Sequence, residues 1–267
     1  MPLKHLSSRA NPQFKSLRAL AGDAGELRRQ GLALLDGCHL VSAYVDKFGL
    51  PQSLIVSERG LAQGEIAALV ARLAVSPGLD CLQLPDALFA QLSALATPTG
   101  LLALIRIPDS APSAAAKTST LLLDAVQDAG NVGTILRSAA AAGIDEVFLG
   151  PGCASAWSPR VLRAGQGAHF HLRIHEQADL AQAMSLCVGP VLAAVAGAGR
   201  DLYACDLRGP VAWLFGNEGN GIAADLLAGA AQRVSIPMAA GSESLNVAAA
   251  ATVCLFEELR QKRQTRV

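Results

Sequence analysis

The 267-residue chain has 51% hydrophobic and only 16% charged residues, a composition typical of a well-packed globular protein and not of a disordered one. Its formal net charge is zero, and no run reaches the roughly 18 apolar residues that a membrane-spanning helix needs. The amino-terminal segment lacks the apolar core of a signal peptide, so we expect a cytoplasmic protein without membrane contact.

The charges are unevenly distributed along the chain. Residues 1–30 contain six Lys or Arg and two acidic residues, and residues 257–267 contain four and two. Residues 31–256 contain 12 basic and 18 acidic residues. Basic ends on an acidic body are compatible with a polyanionic partner and equally with a solvated surface.

The six cysteines form no C-x-x-C pair, and the "HFH" segment has no carboxylate at helical spacing, so we predict free thiols and no metal site.

The first block of the chain predicts a small α/β domain. Residues 1–30 indicate a helical arm, because Phe14, Leu17 and Leu20 recur at helical spacing. A strand, helix and strand pattern follows from residue 31. Further strands are predicted at 53–58, 81–85 and 100–108, and helices at 65–74 and 86–95, with Asp86 as the cap of the second helix.

A segment rich in Pro, Ser and Ala, "PDSAPSAAAKT", predicts a linker over residues 108–118. The predicted domains are therefore 1–107 and 119–267. In the second domain, continuous apolar strands alternate with helices, which favours a parallel sheet covered on both faces. Such sheets bind ligands at the carboxyl ends of their strands, near the point where the strand order switches.

Three of the predicted strands in the second domain end in loops rich in Gly and Asn. The loops read "QDAGNVGTILRS", "GNEGNGI" and "PMAAGSESLN". Each one alone is explained as an ordinary turn, with Asn131 as a helix cap in the first and Ser242 or Ser244 as a cap in the third. Together, at the ends of three strands, they predict one shared binding site.

Several well-known site motifs are absent. The chain contains no G-x-x-x-x-G-K-[ST] segment, "GNEGNG" does not fit G-x-G-x-x-G, and no serine lies in a G-x-S-x-G turn. These absences argue against a P-loop nucleotide site, a dinucleotide-binding site and the active site of an acyl hydrolase.

The three loops, with their flanking strands and helices, resemble a known family. The segments "LLLDAVQDAGNVGTILRSAAAAGIDEVFL", "LFGNEGNGI" and "VSIPMAAGSESLNVAAAATVCLFEELRQ" resemble the three ordered motifs of the SpoU (TrmH-type) RNA ribose 2′-O-methyltransferases of the SPOUT class. "LLDGCHLV" and "PTGLLALI" resemble the start and end of the ribosomal-protein-like RNA-binding domain that often precedes the catalytic domain. One departure is that "DAGN" stands where the family usually has Asp-Pro before the Asn.

The resemblance implies a C-terminal trefoil knot, S-adenosylmethionine as cofactor and a homodimer whose site is completed near the dimer interface. It further implies methylation of a ribose 2′-hydroxyl in structured RNA, ribosomal RNA more than transfer RNA. A non-catalytic RNA-binding factor that kept the fold is the alternative from another class.

The resemblance also assigns site residues. By matching motif positions, the cofactor contacts are Gly216, Ile236, Met238 and Leu245. The polar catalytic positions are Asn131, Arg137, Glu218, Ser244 and Asn246.

We expect Arg137 to stabilise charge on the 2′-oxygen, and Glu218 to orient Arg137 by a bidentate pair. Phosphate contacts are expected from the basic arm, at Lys4, Arg9, Lys15 and Arg18. The aromatic residues Tyr44, Phe48 and Phe89 are predicted to be core and not stacking platforms for bases.

Overall fold

A computed structural model describes residues 3–109, 118–240 and 244–264. Within them the chain divides into two compact units. The first unit comprises residues up to Asp109 together with Trp157–Phe170, and the second unit comprises the other described residues. The predicted domains differ from these units at 157–170, because this segment packs in the first unit. There the Phe170 ring lies 5.7 Å from that of Tyr44.

In chain order the strands are β1 (Lys4–His5), β2 (Leu32–Asp36), β3 (Ser53–Ser57), β4 (Asp80–Leu84), β5 (Leu101–Arg106), β6 (Thr120–Leu123), β7 (Glu146–Leu149), β8 (Arg173–Glu176), β9 (Val191–Ala194), β10 (Arg200–Asp201), β11 (Ala212–Phe215) and β12 (Gln232–Ser235). The α-helices are α1 (Pro12–Gly22), α2 (Ala24–Arg29), α3 (Cys38–Phe48), α4 (Glu58–Leu61), α5 (Gly64–Ala74), α6 (Asp86–Phe89), α7 (Ala129–Ala142), α8 (Pro159–Gly165), α9 (Leu180–Leu186), α10 (Ala224–Gly229) and α11 (Val247–Gln264). Short 3-10 turns cover Ala168–His171 and Leu202–Ala204.

The described strands of the first unit form a mixed sheet in the order β1-β4-β3-β5-β2. Strand β3 pairs in parallel with β4 and antiparallel with β5. The arm is more ordered than predicted: Lys4 lies in edge strand β1, and Asn11 caps α1 by accepting from the backbone N–H of Gln13 at 2.8 Å. Phe14 of this arm is fully buried in the core.

Three predictions for the first unit are wrong: the end of one helix, its cap and the burial of Phe48. The helix predicted at 86–95 ends at Phe89, and its cap position is occupied by Pro85. The Asp86 carboxylate instead accepts from the backbone N–H of Arg59 at 3.1 Å. Tyr44 and Phe89 are buried as predicted, but the Phe48 side chain is 42% exposed.

The second unit confirms the predicted parallel sheet. Its described strands follow the order β10-β12-β9-β11-β6-β7-β8, and every adjacent pair is parallel. From β6 the chain runs outward through β7 and β8, then returns with β9 on the other side. The strand order therefore switches beside β6, where ligands are expected in sheets of this type.

The connection from β9 to β10 crosses the later strand β12. Strands β9 and β10 both pair with β12, on opposite sides. A Cβ atom on Gly199 would lie 2.8 Å from the backbone nitrogen of Ser235, so only glycine allows this close crossing. The complete trefoil knot stays a prediction.

Helices α7 and α11 pack against each other in the second unit. Asp128 caps α7 by accepting from the backbone N–H of Asn131, and Gly143 ends it in the left-handed conformation. Ser138 of α7 and Thr252 of α11 share a hydrogen bond of 2.8 Å.

A buried polar cluster anchors the carboxyl-terminal half of α11. The Glu258 carboxylate, 3% exposed, accepts from Trp213 Nε1 at 2.6 Å and from Lys262 Nζ at 2.5 Å. The Ser119 hydroxyl also donates to Glu258. Because each buried group has a partner, the cluster avoids the large cost of an isolated buried charge.

Among the described helices, none has the length and apolar content needed to cross a bilayer.

Candidate active site

A cavity of about 680 Å³ opens at the carboxyl ends of β9, β11 and β12, within the size range of small-molecule sites. Most of the lining comes from three segments: 194–197 at the end of β9, 215–222 at the end of β11, and residues on either side of 241–243. Leu227 of α10 completes it. Its position beside the switch in strand order agrees with the expectation from the sequence.

Asn131 joins the three loops that follow β6, β11 and β12. Its Nδ2 donates to Glu218 Oε1 at 2.8 Å, and its Oδ1 accepts from Asn246 Nδ2 at 3.0 Å. The predicted meeting of the three loops is therefore confirmed. Asn131 does not cap α7, because that position belongs to Asp128.

Glu218 holds the loop after β6 as an anionic acceptor. Burial raises the pKa of its carboxyl, but hydrogen bonds from the Asn131 side chain and from backbone N–H groups, including those of Gln127 and Asp128, outweigh it. The net result is a pKa below the ordinary glutamate value. Glu218 is therefore ionised at neutral pH and is suited to accept hydrogen bonds, not to donate a proton.

Asn246 has two functions that sequence reasoning did not separate. Its Oδ1 accepts from the backbone N–H of Ala248 at 2.9 Å and so caps α11, while its Nδ2 reaches Asn131. Of the serines considered as caps, Ser242 lies outside the described residues, as do Gly241 and Glu243. Ser244 lines the cavity.

All four predicted cofactor residues lie at the cavity: Gly216, Ile236, Met238 and Leu245. Met238 and Leu245 are 37% and 40% exposed, which is unusual for large apolar side chains and places apolar surface at the site. A Cβ atom on Gly216 would lie 2.4 Å from the carbonyl carbon of Gly221. Glycine is therefore required there for the loop to fold back on the strand end.

Asn217 was missed as a site residue in the sequence. Its Nδ2 donates to the Ala125 carbonyl at 2.8 Å, and its Oδ1 accepts from the backbone N–H groups of Gly219 and Asn220, both at 2.9 Å. The available signal was an Asn directly after Gly216, which follows β11, a position where side chains often hydrogen-bond the nearby backbone.

Arg137 is not brought to the cavity of its own chain. It is exposed and is not among the lining residues, and its side chain has no hydrogen bond or ion pair with other described residues. Six residues of helix place it about 9 Å along the axis and about 240° around from Asn131. The expected bidentate pair with Glu218 is wrong, because that carboxylate is bound to Asn131 and the loop backbone.

The predicted RNA contacts are all exposed on the first unit. Lys15 and Arg18 lie on α1, Arg9 precedes that helix, and Lys4 Nζ donates to Gln13 Oε1 at 2.6 Å. Their role in binding RNA stays a prediction.

Within residues 3–109, 118–240 and 244–264, no group of three or more His, Cys, Asp or Glu is arranged to hold a metal ion.

Residues 118–256 match the model of the SpoU rRNA Methylase family. The chain belongs to this family. The resemblance seen in the sequence is thereby confirmed, and the α/β fold class with it. The three motif segments lie almost wholly inside the matched range, whereas the arm and first sheet precede it.

Similar proteins cover nearly the whole chain. A Bacillus subtilis relative, 23S rRNA (guanosine(2553)-2′-O)-methyltransferase RlmP, is 29% identical over 95% of this chain and 98% of its own. A solved structure of an RNA 2′-O ribose methyltransferase is 30% identical with a TM-score of 0.80, covering 97% and 99% of the two chains. The AdoMet-bound rRNA methyltransferase from Sinorhizobium meliloti is 26% identical with a TM-score of 0.81, covering 97% and 98%.

Proposed function

We propose that this protein transfers the methyl group of S-adenosylmethionine to the 2′-hydroxyl of a ribose in ribosomal RNA. Family membership makes the chain a methyltransferase that uses this cofactor. The observation that carries the proposal is the junction at Asn131, which joins the three motif loops beside a cofactor-sized cavity. The names of the similar proteins support ribosomal RNA and the 2′-oxygen as the finer assignments.

The lining of the cavity fits the cofactor. The space is large enough, and Gly216 keeps backbone groups at its wall free of a side chain. The exposed apolar side chains of Met238 and Leu245 suit the adenine and the methionine chain. We propose that main-chain groups of Gly216, Ile236, Met238 and Leu245 hold it. When bound, S-adenosylmethionine supplies an electrophilic methyl group on a sulfonium sulfur.

The protein's own tasks are then orientation and charge stabilisation. Asn131, Glu218, Ser244 and Asn246 keep the loops fixed and present polar groups to the ribose. Arg137 stabilises the negative charge that develops on the 2′-oxygen as its proton leaves to water or to a phosphate oxygen. Arg137 is not the base, because a guanidinium keeps its proton in proteins.

The exposed position of Arg137 supports the proposal of a homodimer in which a partner completes the site. Phe256 of α11, 44% exposed, adds apolar surface of the kind that an interface buries. Mixing inactive Arg137→Ala chains with inactive Glu218→Ala chains tests this arrangement. If Arg137 acts on the partner's cavity, mixed dimers contain one intact site and activity returns. No recovery after confirmed subunit exchange contradicts the shared site.

The first experiment is titration calorimetry with S-adenosylmethionine, followed by transfer of labelled methyl to ribosomal RNA and transfer RNA lacking modification. Label in ribosomal RNA that resists alkaline cleavage at the modified nucleotide supports the proposal, because a 2′-O-methyl group blocks attack on the adjacent phosphate. Label only in transfer RNA contradicts the substrate assignment. Cofactor binding without transfer to any RNA, including ribosomal subunits, favours a non-catalytic factor. The predicted cytoplasmic location belongs to the same proposal.

A further inference from the structure

The loop after β11 is fastened to the loop after β6 by one side chain, that of Asn217. Its donor and its acceptor point to different loops. Nδ2 donates to Ala125 O, across 92 residues of sequence, whereas Oδ1 accepts from the N–H groups of Gly219 and Asn220 in its own loop. A backbone pair between Asn217 and Gly221, with both bonds at 2.9 Å, closes that loop.

The acceptor in the loop after β6 has an unusual conformation. Ala125 has a φ of 50°, in the left-handed region that residues with a Cβ rarely adopt. Such a conformation persists only where surrounding contacts hold it, and it is common at functional sites. The bond from Asn217 to the Ala125 carbonyl is a contact of this kind, and it comes immediately before the segment that carries Asp128 and Asn131.

Neighbouring Glu218 holds the same segment from the same side. Its carboxylate accepts from Asn131 Nδ2 and from the backbone of Gln127 and Asp128. Asn217 and Glu218 thus form two consecutive attachments to residues 125–131. The first attachment fixes where the segment begins, and the second fixes its polar end. Asn217 itself lines the cavity, so its two hydrogen-bonding groups connect the cofactor wall with the catalytic loop.

We propose that Asn217 is a positioning residue for methyl transfer. Its amide donor sets the placement of residues 125–131, and therefore of Asn131, while its amide oxygen shapes the loop that lines the cofactor cavity. This inference rests on the proposed function. Asn217 takes no direct part in the chemistry. The loss of its donor should affect mainly kcat, and the loss of its acceptor should affect the Kd for the cofactor.

The test compares Asn217→Asp with Asn217→Ala. The aspartate keeps an oxygen for Gly219 and Asn220 but loses the donor, and sets a carboxylate against the Ala125 carbonyl. We expect kcat to fall about 10- to 100-fold while the Kd for S-adenosylmethionine changes less than about threefold. The alanine loses both groups, so kcat falls and the Kd rises about tenfold or more. Gln182→Glu, at an exposed position of α9, adds the same charge and should change neither quantity.

Amide hydrogen exchange gives a readout that does not depend on activity. Exchange within 127–131 should accelerate in both variants, whereas exchange at Gly219 and Asn220 should accelerate only in Asn217→Ala. Unchanged kcat in Asn217→Asp, or unchanged exchange in 127–131, overturns the proposal. Equal losses of cofactor affinity in the two variants overturn the division between the two groups. A wild-type protein that transfers no methyl group refutes the proposed function, and the exchange data still decide whether Asn217 fixes the loop.

Discussion

Replacing Asn131 by Asp is the sharpest perturbation of the site, because it changes one atom at the junction of three loops. The new carboxylate keeps an oxygen that accepts from Asn246 Nδ2, now 3.0 Å away. On the other side it replaces the donor that lies 2.8 Å from Glu218 Oε1. A hydrogen bond between the loops after β6 and β11 becomes a contact between two carboxylates.

The cost follows from the lost bond and the new repulsion. Two unit charges about 4 Å apart repel by about 1 kcal/mol in water and about 4 kcal/mol at the effective dielectric constant of a protein surface. Glu218 is exposed, which favours the lower part of this range. The lost hydrogen bond to the charged Glu218 adds to this repulsion, so the total cost of the substitution is about 2 to 4 kcal/mol. If this free energy is needed to form the active loop arrangement, kcat falls about 30- to 1,000-fold.

The pH dependence distinguishes this cause from general damage. In the wild type the pKa of Glu218 is lowered, so its contribution is present above the ordinary glutamate value and is lost only as the pH falls through the lowered pKa. In Asn131→Asp the adjacent carboxylates raise the pKa of one of the pair. The variant should therefore regain activity relative to wild type as the pH falls from about 8 to about 5, since protonation restores a donor.

The assay is single-turnover methyl transfer at saturating cofactor, reported as the ratio of variant to wild-type rate at each pH. The ratio removes the intrinsic pH dependence of the 2′-hydroxyl. Gln182→Glu provides the charge-matched control, with an expected ratio near one at every pH. A ratio for Asn131→Asp that stays near one at pH 8, or that does not rise on acidification, refutes the reasoning.

Four further perturbations test other parts of the molecule. Arg137→Ala should lower kcat at least about 100-fold, while calorimetry gives an unchanged Kd for S-adenosylmethionine, because the proposed target of Arg137 is the 2′-oxygen of the RNA and not the cofactor. Exposed Arg233→Ala is the control. Gly216→Ala should weaken cofactor binding about tenfold or more in the same calorimetry, because the new Cβ meets backbone at 2.4 Å. Glu258→Ala should lower the free energy of unfolding by about 2 to 4 kcal/mol in urea titrations, because Trp213 Nε1 loses its buried partner. Lys15→Ala with Arg18→Ala should raise the Kd for RNA, measured by filter binding, and make it less dependent on salt.

Each of these predictions has a contradicting result. Loss of cofactor affinity in the Arg137 variant would mean that Arg137 contacts the cofactor. Normal affinity in the Gly216 variant would mean that the loop after β11 shifts to accommodate the new Cβ atom without disturbing the cavity. An unchanged urea midpoint for Glu258→Ala would show that water satisfies the groups that lose their partner, and that the Glu258 cluster adds no net stability. An unchanged salt dependence would remove Lys15 and Arg18 from the RNA surface.

The periodicity of the sequence was sufficient to predict the parallel sheet and the loops at its carboxyl edge. Apolar runs of strand length separated by amphipathic helices have few other ways to bury their surface. Gly and Asn after each strand marked the site, because those residues supply tight turns and backbone hydrogen bonds. The brief strand β10 and the early end of α6 were not predictable, since segments of two to four residues carry too little periodicity.

The order and spacing of the three motifs in the sequence by itself identified the loops that line the cavity, although Asn217 was missed and Arg137 lies outside that cavity. Only the tertiary structure decided what each side chain does. Asn131, expected at a polar catalytic position or, in the simpler reading, as a helix cap, joins three loops. Glu218, expected to pair with Arg137, holds a backbone segment. The physical reason is that a hydrogen bond depends on distance and angle within a few tenths of an ångström. The partners of Asn131 are 87 and 115 residues away in sequence, and no local pattern encodes that geometry.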